Sequence, residues 1–160
     1  MNNFLNIGKD NNGDKMDENI EMLEYISKDC DMGIKSLTTL IRSISDKDNK
    51  ITKVVEGILK GYENYLKKSK KIIKKNKYEV KENSTIATIS SWIGVKMDVM
   101  KDNSDASIAS MITKGLTMGV LNMEKNIKNY KGDIDSDIMK LAKEFLKFQQ
   151  ESIDFLKKYL

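Results

Sequence analysis

The sequence predicts an all-α fold, four long helices arranged as two antiparallel hairpins of one bundle. Three observations predict it. The 160-residue chain contains no proline, and it is rich in Lys, Glu, Ile, Leu and Met, which lose little rotamer freedom in a helix. Apolar residues recur at spacings of three and four along four separate stretches. The pattern also occurs twice. Asp31-Met32-Gly33-Ile34 returns 86 residues later as Thr117-Met118-Gly119-Val120. Ile41 and Arg42 match Ile127 and Lys128. After a polar break of slightly different length, Ile51 matches Ile138 and Leu59 matches Leu146. Tyr65-Leu66-Lys67-Lys68 and Phe155-Leu156-Lys157-Lys158 close the two halves.

The elements follow in order. Residues 1–16 are rich in Asn, Asp and Gly and read as a flexible tail. The single domain is expected over 17–160. Helix one, about 17–46, carries Leu23, Ile26, Cys30, Ile34, Leu37, Ile41 and Ile44. Ser45 to Asn49 forms a polar turn in which Asp48 or Asn49 can cap the next helix. Helix two carries Ile51, Val55, Ile58, Tyr62, Tyr65 and Ile72 and ends near Lys77, closing a hairpin over 17–77. A crossover over 78–103 contains its own short apolar stripe, Ile86, Ile89, Ile93, Met97 and Met100, read as a brief helix capped at Ser84. Ser104 is a cap for helix three, about 104–130, with Ile108, Ile112, Leu116, Met123, Ile127 and Tyr130. Gly132 stands in the turn after it. Helix four carries Ile138, Leu141, Phe145, Phe148, Phe155 and Tyr159, completing a second hairpin over 104–160.

Short links inside each half and a long link between them give the connectivity of bundles with one long crossover. With the two Met-Gly elements, Ile112, Leu116 and the lysine-tipped closing runs, the duplicated hairpins resemble the ferritin-like superfamily, and within it a family of small bacterial bundles of no established activity. The resemblance covers about residues 18–160. It implies the superfamily's fold, and it raises the question of a di-metal site built from glutamates and two Glu-x-x-His motifs. The chain has no histidine, so both motifs are missing. A carboxylate-only site would have to use Glu56 and Glu63 on helix two with Glu144 and Glu151 on helix four, each pair two turns apart. All four sit beside the apolar stripe, where solvent-facing charges belong. Met111 and Met118 occupy the places where partner ligands would stand.

Other features are read against plainer roles. Lys67, Lys68, Lys70, Lys71, Lys74, Lys75 and Lys77 form a basic patch that could attract phosphate backbones. The preferred reading is a solvated helix C-terminus, since lysines there complement the macrodipole. One arginine in the chain and sparse aromatic interleaving argue against base readout. Gly33, Gly115 and Gly119 lie inside helical patterns, where each costs about 1 kcal/mol relative to Ala. The compensation expected is a close crossing of helices one and three at Gly33 and Gly119. The ten methionines read as core gap-fillers, and Trp92 as a plug at one end. Cys30 falls on an apolar stripe between Asp29 and Asp31, which disfavour its thiolate.

Net charge is +4, from 28 basic and 24 acidic residues, a balance that suits solubility. A single cysteine excludes an intrachain disulfide and points to a reducing, cytoplasmic setting. No signal-peptide pattern opens the chain and no stretch is apolar enough to span a membrane. The reading is a non-enzymatic bundle without cofactor that acts as a binding or structural module through self-association as a homo-oligomer. The two alternatives are a carboxylate-only metal protein and a nonspecific nucleic-acid-associated protein.

Overall fold

The computed structural model of the chain describes residues 11–80 and 102–160. Four α-helices carry them: α1 (Asn11–Ser43), α2 (Thr52–Asn76), α3 (Asp105–Asn129) and α4 (Ser136–Leu156), with a single 3₁₀ turn, Lys157–Tyr159, at the end. There is no strand among the described residues. The stripe expected around Ser84 and Trp92 lies outside them.

Helix ends show which local signals operate. Ser104 caps α3 by accepting from the Ser107 amide at 3.2 Å. Neither Asp48 nor Asn49 caps α2: Ile51 occupies the cap position and makes no side-chain cap bond. Asn49 is drawn away, donating to the Asn103 carbonyl at 3.0 Å and to Asp105 at 2.8 Å. A tertiary bond has displaced a local one. α1 opens at Asn11 and so takes in residues 11–16, which composition assigns to a tail. Lys15 is tied to Asp135, the cap residue of α4, at 3.2 Å.

The contacts set the directions. In the first hairpin Ser27 bonds Ser69 at 2.8 Å and Asn19 reaches Tyr78, so α1 and α2 run antiparallel. The Tyr65 hydroxyl donates to the Glu144 carbonyl at 3.1 Å and Gly61 lies against Phe148, which makes α2 and α4 antiparallel. Asn19 accepts from the Asp135 amide and Asp29 from Gln149, so α1 and α4 are parallel. α2 and α3 start side by side, joined through Asn49 and Asp105, and run the same way. α2 spans 25 residues, about 37 Å at 1.5 Å per residue. The end of α2 and the start of α3 therefore lie at opposite ends of the bundle.

One core joins all four helices. Met22, Leu23, Ile26, Cys30, Leu37, Leu40 and Ile44 line α1; Ile51, Val55, Ile58 and Tyr62 come from α2 and the turn before it. Ile108, Ile112, Leu116 and Met123 face them from α3, and Ile138, Leu141, Phe145 and Leu156 from α4. Between α2 and α4, Tyr62, Tyr65, Phe145 and Phe148 form an aromatic cluster with ring centroids 5.2 to 6.1 Å apart. Such pairs add about 0.5–1.5 kcal/mol beyond area burial. Two expected core residues are corrected. Phe155 is 58% exposed and Met118 60%. In α4 the stripe position falls on Leu156 instead, because Gln149 and Ser152 hold the buried positions before it.

Candidate functional site

The side chains capable of chemistry inside the bundle gather near its middle, around Asp29. α1 carries Tyr25 and Asp29, one turn apart, and Cys30 next to Asp29 in the chain. α2 contributes Tyr62, α4 contributes Gln149, and Gly119 of α3 leaves room for the Gln149 side chain. Gln149 is fully buried and donates from Nε2 to Asp29 Oδ2 at 2.7 Å. Its own Oε1 has no hydrogen-bond partner among the described residues. Burial pushes the Asp29 carboxyl up to about 6, with the Gln149 bond pulling the other way. The two observations fit together. A neutral carboxyl carries the donor that a carboxamide oxygen beside it lacks.

The neighbours are all poor acids. Burial raises the Tyr62 hydroxyl, and the Asp29 charge raises it further. Tyr25 is raised by burial first and by Asp29 second, with Asn122 opposing. Cys30 is raised by burial, then by Asp29 and Asp31. A buried thiol held protonated, without a histidine to take its proton, is no nucleophile. One carboxylate is too few for a metal. Among the described residues no three His, Cys, Asp or Glu side chains gather closely enough to hold an ion.

Glu56, Glu63, Glu144 and Glu151 do not come together. Glu56 and Glu63 point to solvent. Glu144 pairs with Lys68 at 3.5 Å and Glu151 with Lys147 at 3.7 Å, both on the surface. The basic patch is also solvated: Lys67, Lys68, Lys70, Lys71, Lys74, Lys75 and Lys77 are all exposed along the C-terminal half of α2. Lys68 lies 4.9 Å over the Tyr65 ring. Lys77 adopts the left-handed cap conformation, φ 54°, and its amide closes the helix on the Ile73 and Lys74 carbonyls.

The glycines differ from expectation. Gly33 does not meet α3; a Cβ there would lie 2.8 Å from the Tyr62 ring of α2. At Gly119 a Cβ would strike the Gln149 amide of α4, with Asp29 of α1 3.3 Å away. Gly115 has nothing within 4 Å and supports no crossing. Gly61, which periodicity did not single out, has the Phe148 ring packed on it. At Gly33, Gly61 and Gly119 a side chain fills the glycine's space, and no sequence pattern names that side chain. α1 and α3 do approach, but through side chains: Glu21 accepts from the Tyr130 hydroxyl, and Tyr25 meets Asn122.

The outer face of α3 and α4 carries the second feature. The last turns of α3 and the first three turns of α4 enclose a groove of about 530 Å³. Its floor is Ile127, Ile134, Met139 and Leu146. Along α3, Met118 (60% exposed) and Leu121 (55% exposed) continue toward it. Met118, Leu121 and Lys128 fall on one stripe, spaced by three and seven. Comparison with protein-family models, with curated proteins and with solved structures finds no match. Among the described residues no helix is long and apolar enough to cross a membrane.

Proposed function

We propose that the chain is a ferritin-like bundle of duplicated hairpins, without a catalytic role, that acts as a binding or structural module by associating with itself. The duplication is supported by where contacts fall. Gly33 receives Tyr62, and Gly119 receives Gln149. The glycines match in the repeat, and so do the two residues that fill them, by the offset that pairs Ile51 with Ile138. Gly61 and Phe148 match by the same offset and touch each other. A residue meets its own equivalent where a twofold axis passes. α2 and α4 would flank that axis.

The observation that carries self-association is the apolar stripe left on the outside of α3. Met118 and Leu121 are more than half exposed and lead into an apolar groove. Contiguous apolar surface on a small domain marks an interaction site. The interior supports the non-catalytic part of the reading. Among the described residues its polar groups are Asn19, Ser27, Ser69, Ser152 and Gln149, with Asp29 bonded to Gln149 and the Tyr62 hydroxyl nearby, and no nucleophile stands beside a base. One buried cysteine suits a reducing compartment, and the cytoplasm is the location proposed.

The test compares the chain with a Met118→Glu, Leu121→Glu double variant by size exclusion with light scattering. The unmodified chain is expected to show a mass above the 18.3 kDa of one copy, and the variant to fall back to it. An unmodified chain that stays at one copy at every loading concentration contradicts the proposal.

A further inference from the structure

The rim of the α3–α4 groove is charged. Lys128, Lys131 and Lys143 stand around its apolar floor, against one acid, Glu124. All three lysines are exposed, and among the described residues none of them joins an ion pair. An occupant must therefore offer apolar side chains flanked by acids.

The chain carries such a surface itself. Between Asp14 and Glu24, α1 has five acids and one lysine. Asp17 and Glu21 lie one turn apart and are exposed. Beside them Met16 is 51% exposed and Ile20 partly so. This ridge and the groove sit at the same end of the bundle. Lys15 reaches Asp135 at 3.2 Å and Asn19 accepts from the Asp135 amide at 2.8 Å. Tyr130, just past the end of α3 and bonded to Glu21, stands between the two patches. One copy cannot turn its α1, packed along the other side of the hairpin, into its own groove. A second copy can.

We propose that the groove receives the acidic opening turns of α1 from a second copy, and that the contact is made twice about a twofold axis. Because both patches lie at one end, a twofold brings each groove to the other copy's ridge and closes the assembly at two. Met16 and Ile20 enter the apolar floor. Asp17 and Glu21 face Lys128 and Lys131. The dimer is weakened by salt, because its rim charges are solvated. This inference rests on the self-association proposed above and names its surface.

The test uses charge reversal and mixing. A groove variant, Lys128→Glu with Lys131→Glu, and a ridge variant, Asp17→Lys with Glu21→Lys, are examined by sedimentation velocity. Each alone is expected to dissociate, by about fivefold in Kd for each reversed charge. Mixed one to one they are expected to recover a dimer, because reversed groove meets reversed ridge while the other contact keeps its original charges. If the ridge variant loses its helical signal through loss of the Tyr130 bond, Asp17→Lys alone takes its place. A dimer that neither reversal weakens, or two dissociated variants that stay apart when mixed, overturns the inference and leaves self-association standing. An unmodified chain that never dimerises overturns both.

Discussion

Replacing Asp29 by Asn is expected to stabilise the protein at neutral pH. The carboxyl titrates at about 6 in the folded chain against an ordinary 3.8. Burial raises it, and Cys30, Tyr25 and Tyr62 around it supply no positive charge. An acid whose folded value lies above its unfolded value makes the folded state bind the extra proton. Its contribution is therefore most favourable below pH 3.8 and is lost as pH rises through 6. At 1.36 kcal/mol for each tenfold step, the ionised group costs about 3 kcal/mol above that pH. Asn keeps the shape. Its Oδ1 can still accept from Gln149 Nε2, and its own amide offers a donor to the unpaired Gln149 Oε1. Urea melts at pH 7.5 should move the midpoint upward by about 1.5 M for an m-value near 2 kcal/mol/M. At pH 3.5 the two proteins should melt together. Other carboxylates titrate in both chains, so the difference between the two isolates Asp29. A variant less stable than the unmodified chain at pH 7.5, with m unchanged, would refute the reasoning and mean that the buried charge is favourably held.

Five further substitutions probe packing, each read in a denaturant melt. Gly33→Leu and Gly61→Ala should both destabilise, by about 1–3 kcal/mol, because the Tyr62 and Phe148 rings already occupy the space a side chain needs; a higher midpoint for either would show that the ring moves freely. Gly115→Ala should instead stabilise by about 0.8–1 kcal/mol, since it lies exposed in a helix with nothing within 4 Å. Ser69→Ala removes the bonds to Ser27 and to the Leu23 carbonyl, leaving a buried hydroxyl unpaired at a cost of about 1–3 kcal/mol. Phe145→Ala empties the centre of the aromatic cluster and should cost about 3–5 kcal/mol.

The helices were legible because each carries a long apolar period, and the Ser104 cap because its partner is three residues away. What lay beyond reading depends on contacts distant in sequence. Asn49 fails to cap α2 because Asp105, 56 residues on, offers it a better bond. Residues 11–16 look like a tail by composition, yet Asp135 anchors the helix they begin. Periodicity puts Phe155 on the apolar stripe of helix four, but the buried positions of α4 pass through Gln149, Ser152 and Leu156. A glutamine on an apolar stripe was the available signal for the central polar pair, and Asp29 entered the sequence reading only as a neighbour of Cys30. The glycines announced tight packing without saying what packs. The groove and the acidic ridge were invisible as partners, since their placement at one end follows from α1 and α4 running parallel.

Sedimentation equilibrium of the unmodified chain, over a wide concentration range and at low and high salt, tests self-association most directly. The average mass is expected to rise from 18.3 kDa toward twice that value as concentration increases, with salt shifting the transition to higher concentration. A single species of one copy at every concentration and at low salt would contradict self-association.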